Sequence, residues 1–415
     1  MRKTDVCILG AGIVGVSAAL QLQARGRSVA IVERRDGAGL ETSFGNAGLI
    51  ERSSIKPYFF PRDPARLLKY AFNLLPEAHY HLSALPAVGP WLVKYYLGSG
   101  PERAAHSFAA FRPLIENSLS EHAPLIAAAG AEGLVRHDGW LKIFRHARSF
   151  DVGAAEADRM RAFGLAIDAL DPAGVAALEP ALAPVAGGLH FRDTAAIVDP
   201  GALSKAYADL FTARGGVFLS GDARTLQADA DGWRVETAEG PLACRDAVVA
   251  LGPWSDVIFG ALGYRMPLAV KRGYHMHYAP APAPEATLHR PTLDADNGFL
   301  LAPMARGVRL TTGAEFARRD APPTPAQIAR CEPIARALLP LGERRDPAPW
   351  LGARPCLPDM LPVLGPAPRH KGLWFNFGHA HHGLTLGPAT GRLLADLITG
   401  AQPFLDPRPY RADRF

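Results

Sequence analysis

The first 33 residues contain a strand, a glycine-rich turn, a helix and a second strand whose order allows few folds. Asp5–Leu9 is a short, partly β-branched apolar run, and residues 10–15 read Gly-Ala-Gly-Ile-Val-Gly. Val16–Arg25 has a helical composition, and the apolar strand Ser28–Val32 ends at Glu33. This spacing is typical of a βαβ unit that binds a dinucleotide.

Each glycine of the turn has a physical task. Gly10 permits the tight bend, Gly12 lets a pyrophosphate approach the backbone, and Gly15 lets the helix pack on the strand. The helix begins near Ile13 and Val14, and its free N–H groups are expected to face the phosphates.

The acid at the end of the second strand predicts which dinucleotide is bound. Glu33 lies eighteen residues after Gly15 and is placed to accept hydrogen bonds from ribose hydroxyls. A 2′-phosphate would be repelled there, which argues against NADP, and the neighbouring Arg34 is a further predicted cofactor contact. A glycine motif alone is weak evidence, but here both strands, the helix and the acid accompany it.

A second loop, Thr42–Ile50, reads Thr-Ser-Phe-Gly-Asn-Ala-Gly-Leu-Ile. Its small residues suit a backbone that lies against an extended ligand. Ser43 and Asn46 are candidate hydrogen-bonding groups, and Ala47 and Gly48 are candidate backbone contacts. An ordinary Asn/Gly turn is the alternative interpretation.

The C-terminal region repeats the strand, glycine turn and helix. An apolar strand, Leu373–Phe377, leads through Gly378 and a histidine-rich turn into a helix. The start of that helix predicts cofactor contacts at Gly383, Leu384 and Thr385, since helix N-terminal donors can stabilise the negative charge of a reduced flavin ring.

Residues 5–50 and 351–400 together resemble the D-amino acid oxidase and glycine oxidase superfamily, particularly the bacterial D-amino acid dehydrogenases. The shared patterns are the glycine motif with Glu33, S-F-G-N-A-G, R-P-x-x-P-D-x-x-P-V-L-G and G-H-x-x-x-G-L-T-L-G. With segments 271–274 and 301–304, the resemblance covers most of the chain. It implies FAD as the cofactor, and the position of Cys356 does not match a covalent tether, so we expect noncovalent FAD.

The resemblance implies an α/β fold in which a Rossmann-like FAD-binding domain of the glutathione-reductase type is interleaved with an α+β substrate domain on a mostly antiparallel sheet. The expected FAD-binding domain comprises residues 1–61, 190–262 and 345–415, and the expected substrate domain comprises residues 62–189 and 263–344. Local patterns predict FAD-domain strands at 217–220, 232–238 and 247–254, substrate-domain strands at 140–145, 274–278, 298–303 and 308–313, and helices over 62–130 and 321–340.

Three residues are predicted to act on the substrate. In the superfamily, the segment that contains Arg354 supplies an arginine for the substrate carboxylate, which a planar guanidinium matches well. Tyr274 lies near the position of a tyrosine that hydrogen-bonds this carboxylate, although an ordinary half-buried strand aromatic is equally consistent. His379 is expected at the flavin ring, where it tunes the potential or contacts substrate; the alternative is a role in holding the turn.

His379, His381 and His382 do not predict a metal site, because no carboxylate accompanies them at ligand spacing. The four cysteines are widely spaced and predict neither a zinc site nor a disulfide framework.

The expected reaction is oxidation of D-amino acids, or D-proline-like imino acids, by hydride transfer to flavin N5. The products are imino or 2-oxo acids, and a quinone or respiratory carrier is the expected electron acceptor. One alternative is an amine oxidase of the glycine or sarcosine type that uses dioxygen. A flavin-dependent RNA-modification protein and a redox-silent flavin module are remote alternatives.

The net charge of +5 is carried by scattered basic residues, so no nucleic-acid partner is predicted. The N-terminus lacks the pattern of a secretory leader, and no uncharged apolar stretch is long enough to span a bilayer. These features predict a cytoplasmic protein, and peripheral contact with the inner face of the cell membrane stays open.

Overall fold

The computed structural model describes residues 2–280 and 287–415, which form three sheets and the helices that cover them. The strands are β1 (Arg2–Leu9), β2 (Val29–Glu33), β3 (Leu49–Glu51), β4 (Ala78–Tyr80), β5 (Val135–Arg136), β6 (Trp140–Phe144), β7 (Ile167–Leu170), β8 (Gly187–Phe191), β9 (Thr194–Ile197), β10 (Val217–Ser220), β11 (Gln227–Asp229), β12 (Gly232–Thr237), β13 (Gly240–Val249), β14 (Ala269–Tyr278), β15 (Thr292–Asp294), β16 (Phe299–Met304), β17 (Gly307–Thr311), β18 (Ala314–Phe316), β19 (Trp350–Cys356), β20 (Val363–Pro366) and β21 (Leu373–Phe377). The α-helices are α1 (Ile13–Gln23), α2 (Pro64–Ala71), α3 (Leu85–Gly98), α4 (Pro101–Glu116), α5 (Ser118–Ala128), α6 (Ala147–Arg161), α7 (Pro172–Leu178), α8 (Pro200–Ala213), α9 (Ser255–Ala261), α10 (Ala326–Leu338) and α11 (Gly383–Thr399).

The first sheet has eight strands and a parallel centre. Its order is β10-β2-β1-β13-β12-β11, with β21 also beside β13 and β20 beside β21. Val6 and Ile8 of β1 belong to the core on the α1 and α11 face, whereas Cys7 and Leu9 belong to the core on the opposite face. A parallel sheet must be covered on both faces, which explains the continuous apolar run of β1.

Glycines allow α1 and α11 to approach closely. A methyl group on Gly391 would lie 2.9 Å from the backbone nitrogen of Ala18, and one on Gly387 would lie 3.3 Å from the carbonyl oxygen of Ile13. Both helices follow strands that run parallel to β13. Their N-termini therefore meet at the carboxyl edge of the sheet, where α/β proteins bind ligands.

The second sheet has ten strands and is mostly antiparallel. Its order is β4-β18-β14-β17-β16-β15-β6-β8-β7, and β19 pairs with β14. Along the antiparallel pair of β14 and β19, Lys271 lies opposite Arg354. A third sheet has three strands in the order β3-β9-β5, and its strand β3 follows the loop of residues 42–48 directly.

The expected fold class is confirmed, and most of the strands expected from local patterns are present with small shifts of their ends. The strand expected at 247–254 instead covers Gly240–Val249, because the chain turns into a short 3-10 helix at Gly252–Trp254. The predicted domain division remains a proposal, since some strands and helices of each expected segment pack with the other segment. β19 lies within the expected FAD-binding segment but joins the ten-stranded sheet. Conversely, α4 and α5 lie within the expected substrate segment and pack on α11.

We predict that Gly15→Ala destabilises the protein and prevents flavin retention. The added methyl group would collide with the carbonyl oxygen of Gly10, which is backbone and cannot rotate away. The matched control is Gly89→Ala in α3, where the methyl group would meet nothing within 4 Å. There the exchange should stabilise by about 0.5–1 kcal/mol. Urea unfolding and flavin content measure both effects; equal behaviour of the two variants would contradict the proposed packing.

Candidate active site

A cavity of about 1640 Å³ lies at the carboxyl edge of the eight-stranded sheet and is closed on its other side by the ten-stranded sheet. Small-molecule pockets usually have about 300–1,000 Å³, so this cavity can hold a dinucleotide together with a substrate. Most of the predicted cofactor residues line it: Gly10, Gly12, Ile13, Val14, Glu33, Arg34, Ser43, Asn46, Ala47, Gly383, Leu384 and Thr385. The predicted residues Gly15, Gly48 and Gly378 are not among the lining residues; each allows a close approach of neighbouring atoms that a side chain would prevent.

The N-terminus of α1 is open to an anion. Gly10 has a φ of +105°, and a side chain there would lie 2.7 Å from the carbonyl oxygen of Ala250. The backbone N–H of Ile13 donates to Ser43 Oγ at 3.0 Å, which ties the second loop to the start of the helix. The first turn of α1 contains no acidic side chain. The positive end of the helix dipole therefore remains available to phosphate groups.

Glu33 is held rigidly at the end of β2. One carboxylate oxygen accepts the N–H of Ala11 at 2.8 Å, and the other accepts the N–H groups of Arg34 and Arg35 at 2.8 and 3.0 Å. A carboxylate has about four acceptor positions, so one is left for a ribose hydroxyl. The Arg34 guanidinium stacks 4.4 Å from the centre of the Trp254 ring, at the same end of the cavity.

Arg309, a buried arginine that the sequence did not single out, holds the loop of residues 42–48 in place. Arg309 donates to the carbonyl oxygen of Asn46 and, through Nε, to His277 Nε2 at 3.0 Å. His277 Nδ1 in turn lies 3.1 Å from Asp346. Burial lowers the pKa of Arg309 to about 10, which still leaves it charged at neutral pH. The hydrogen bonds of Arg309, His277 and Asp346 therefore hold the loop whose Asn46 and Ala47 line the cavity.

The three histidines of the turn before α11 all line the cavity, and two of them are hydrogen-bonded within the protein. His379 Nε2 lies 3.0 Å from Thr390 Oγ1, and His382 Nε2 lies 2.9 Å from Ser54 Oγ. Burial lowers the pKa of both rings to about 3, so they are neutral. The Nε2 atom of His379 thus helps to hold the turn, and the predicted position of His379 at the flavin ring stays a prediction.

His381 is the histidine that faces the cavity with a free nitrogen. Its Nε2 is buried and has no hydrogen-bond partner within the described part of the chain. The ring meets Tyr58 edge-on at a centroid distance of 4.8 Å. Asn376 also lines the cavity, is fully buried, and has no partner there for either amide atom. Buried polar atoms are rarely left unpaired, so these groups fit a large polar cofactor.

Arg354 lies at the other end of the cavity. It donates through Nη1 to the carbonyl oxygen of Gly313 at 2.7 Å and through Nη2 to that of Thr312 at 3.2 Å. These bonds hold the guanidinium over Gly273, where a side chain would overlap it. No carboxylate of residues 2–280 or 287–415 pairs with Arg354, and three of its five N–H donors remain for a ligand.

Tyr274, which is predicted to bind the substrate carboxylate, lines the cavity, but its hydroxyl group is hydrogen-bonded within the protein. Its side chain is 1% exposed, and its hydroxyl donates to Glu315 at 3.0 Å. The same oxygen accepts from Arg272 at 3.0 Å and from the N–H of Thr324 at 2.7 Å. Arg272 and Glu315 form a fully buried ion pair of 2.8 Å. The single phenolic proton is therefore already used within the protein core.

Sequence reasoning missed several charged residues of the cavity wall. Glu51, at the end of β3, has a pKa that burial raises to about 7, and the positive charge of Lys142 partly offsets this shift. Tyr58 is 58% exposed towards the cavity and lies within electrostatic range of both Glu51 and Arg354. The sequence indicated these residues only by their positions. Glu51 lies three residues after the 42–48 loop, and Lys271 lies three residues before Tyr274.

Comparison with known proteins decides the family. Residues 5–397 match the DAO family, described as FAD dependent oxidoreductase. The chain belongs to this family. The FAD-dependent oxidoreductase is 32% identical to the D-amino acid dehydrogenase of Rhizorhabdus wittichii, over 99% of this chain and 100% of the relative. It is 30% identical to the D-amino-acid oxidase of Bradyrhizobium diazoefficiens, over 99% and 98%.

Among solved structures, glycine oxidase from Geobacillus kaustophilus aligns over the whole of both chains with a TM-score of 0.77 and 22% identity. This likeness concerns the fold. Together with the family match, it confirms the predicted resemblance, the fold class and FAD as the cofactor of this oxidoreductase.

We predict that Tyr274→Phe lowers the free energy of unfolding by about 1–3 kcal/mol, because Arg272 and Thr324 each lose a buried acceptor. The KM for carboxylate substrates should not change. Urea unfolding and steady-state kinetics of the flavin-loaded protein measure the two quantities. A tenfold higher KM without a loss of stability would return Tyr274 to the substrate site.

Proposed function

We propose that this FAD-dependent oxidoreductase oxidises D-amino acids to imino acids, which water then hydrolyses to 2-oxo acids and ammonia. The observation that carries the proposal is the partly buried guanidinium of Arg354, which faces the cavity without a carboxylate partner in the described ranges. A substrate carboxylate supplies the missing charge through a bidentate contact. The D-configuration and the amino acid class are supported by the names of full-length relatives.

The chain's own residues bind and orient the substrate. Arg354 is fixed by two backbone carbonyl groups, so little side-chain entropy is lost when it binds a carboxylate. Tyr58 and His381 form the adjoining wall, and their rings help to exclude water. When bound, FAD supplies the two-electron oxidation by accepting the hydrogen of the substrate Cα with its electron pair.

Glu51 is placed to take the proton that the substrate ammonium group must lose. Its carboxyl group lines the cavity, and burial raises its pKa to about 7. A proton acceptor works best when its pKa lies near the working pH. Lys142 adds a positive charge that favours the ionised form of Glu51.

The exposed surface beside the cavity supports a proposal for the electron acceptor. α2 contributes to the cavity mouth, and apolar side chains around it are strongly exposed: Leu68, Phe72, Leu74 and Leu82. Such a patch supports peripheral contact with the inner face of the cell membrane and a quinone or other respiratory carrier as acceptor. No helix in the described ranges is long and apolar enough to cross a bilayer. Rapid peroxide formation in air would instead favour an oxidase.

Anaerobic bleaching of the flavin absorbance tests the proposal directly. The protein is mixed with matched D- and L-amino acids, sarcosine and D-proline. We expect bleaching by D-amino or D-imino acids, whereas bleaching by L-amino acids alone, or by none of the panel, would contradict the proposed substrate class. Arg354→Met should raise the KM for D-amino acids about 10- to 100-fold, since a charge-assisted pair is lost. Arg345→Met, which removes an exposed arginine, is the matched control.

We predict that kcat/KM rises with pH through about 7 and then levels off, because the raised pKa of Glu51 leaves this acceptor protonated at lower pH. Glu51→Gln should lose this acidic limb and lower kcat/KM about 100-fold or more. Glu343→Gln, at an exposed position, should keep the wild-type profile. An unchanged limb in Glu51→Gln would assign the ionisation to another group.

A further inference from the structure

Lys271 is a partly buried cation inside a box of aromatic rings, at the end of the cavity that contains Arg354 and that we call the substrate end. Its ammonium nitrogen lies 4.0 Å from the centre of the Tyr95 ring, 5.6 Å from that of Trp91 and 6.0 Å from that of Phe316. Aromatic faces stabilise a positive charge, but they leave the three N–H donors of an ammonium group without strong acceptors. The box therefore holds Lys271 in place and leaves its hydrogen-bonding capacity free.

No carboxylate compensates this charge within residues 2–280 and 287–415. Besides burial, the groups that act on the ionisation of Lys271 are the buried thiol of Cys356 and the guanidinium of Arg354, which repels it. Burial lowers the pKa of Lys271 to about 8, so most molecules still carry the charge at neutral pH. A charge that is partly removed from water without a partner is unfavourable, and Lys271 faces the cavity, which indicates that an anion is supplied from outside the chain.

The two unpaired cations lie on the same face of one sheet. Lys271 on β14 and Arg354 on β19 occupy directly opposite register positions, where like charges destabilise the pair. Their charged groups diverge: the Arg354 guanidinium lies over Gly273, whereas Lys271 reaches the rings of α3. A ligand with two separated anionic groups satisfies both cations better than a single carboxylate does.

The other charged residues at the substrate end of the cavity do not cancel the positive charges of Lys271 and Arg354. Glu51 and Lys142 both line the cavity and offset one another, and Lys142 is itself largely buried. His381 is neutral, because burial and the neighbouring cations hold its pKa well below the usual value. Lys271 and Arg354 therefore give this part of the wall an uncompensated double positive charge.

We infer that Lys271 binds a second, side-chain carboxylate of the substrate, so that the enzyme prefers D-amino acids with an acidic side chain. The inference rests on the proposed function, since it assigns the α-carboxylate to Arg354. It adds a residue that determines which side chain is accepted. Neutral amino acids of the same shape leave Lys271 unpaired and are poorer substrates.

Binding without turnover provides the first test. Glutarate and its monoamide have nearly the same shape and differ in one negative charge, and neither can be oxidised at an amine. We titrate each into the flavin-loaded protein and follow the flavin absorbance or the heat of binding. We expect glutarate to bind about tenfold tighter or more, since an ion pair in a desolvated site is lost with the monoamide. Equal dissociation constants in the wild-type protein would overturn the inference.

Variants assign the preference to one side chain. Lys271→Met should remove most of the difference between the two ligands, and Lys271→Arg should restore part of it. Lys94→Met in α3 is the matched control, because Lys94 is exposed and should leave the difference intact. A Lys271→Met protein that weakens both ligands equally would place Lys271 at the α-carboxylate instead and would overturn the inference.

Turnover separates this inference from the proposed function. Wild-type protein should have a KM for D-glutamate about tenfold or more below that for D-glutamine, and Lys271→Met should raise only the former. Bleaching by neutral D-amino acids with equal or better KM would refute the acidic preference and leave the proposed function standing. Tight glutarate binding without bleaching by any D-amino acid would refute the proposed function and keep the double-anion site.

Discussion

The close contact between glycine backbones beneath α1 is the constraint on which the rest of the structure depends. A methyl group on Gly15 would lie 2.1 Å from the carbonyl oxygen of Gly10 and would not fit, and one on Gly391 in α11 would lie 2.9 Å from the backbone nitrogen of Ala18. As a result, two helix N-termini and the 42–48 loop meet at one edge of the parallel sheet. Because β14 and β19 close that edge from the other side, the predicted cofactor residues and Arg354 line a single cavity.

Electrostatics divides this cavity into two ends. At the dinucleotide end, Glu33 is saturated with backbone donors except for one position, and the α1 dipole is open to phosphate. At the substrate end, Arg354 and Lys271 face the cavity without carboxylate partners in the described ranges. Elsewhere in the core, Arg272 is paired with Glu315, and Arg309 is held by the carbonyl oxygen of Asn46 and by His277, which contacts Asp346. Unpaired cations confined to one end of a cavity are therefore an indication of ligand chemistry rather than of stability.

Local sequence patterns predicted the dinucleotide end well, because a strand, a glycine turn and a terminal acid are contiguous in the chain and their geometry is set by backbone sterics. The substrate end was harder to predict, because it depends on contacts between distant segments. Tyr274 has the right strand position, but its hydroxyl is taken by Glu315, which lies 41 residues away. His379 and His381 are two residues apart, yet their surroundings direct one to Thr390 and the other to the cavity. Glu51 and Lys271 carry no motif, and their importance follows only from burial and missing partners.

We propose that a substrate carboxylate binds to Arg354 in the same cavity as FAD. A crystal structure of the FAD-loaded protein with glutarate, a carboxylate that cannot be oxidised at an amine, tests this proposal. We expect one carboxylate in a bidentate contact with Arg354 and the other at Lys271. A ligand bound away from Arg354, or an Arg354 side chain that contacts FAD and leaves no donor for the ligand, would contradict it.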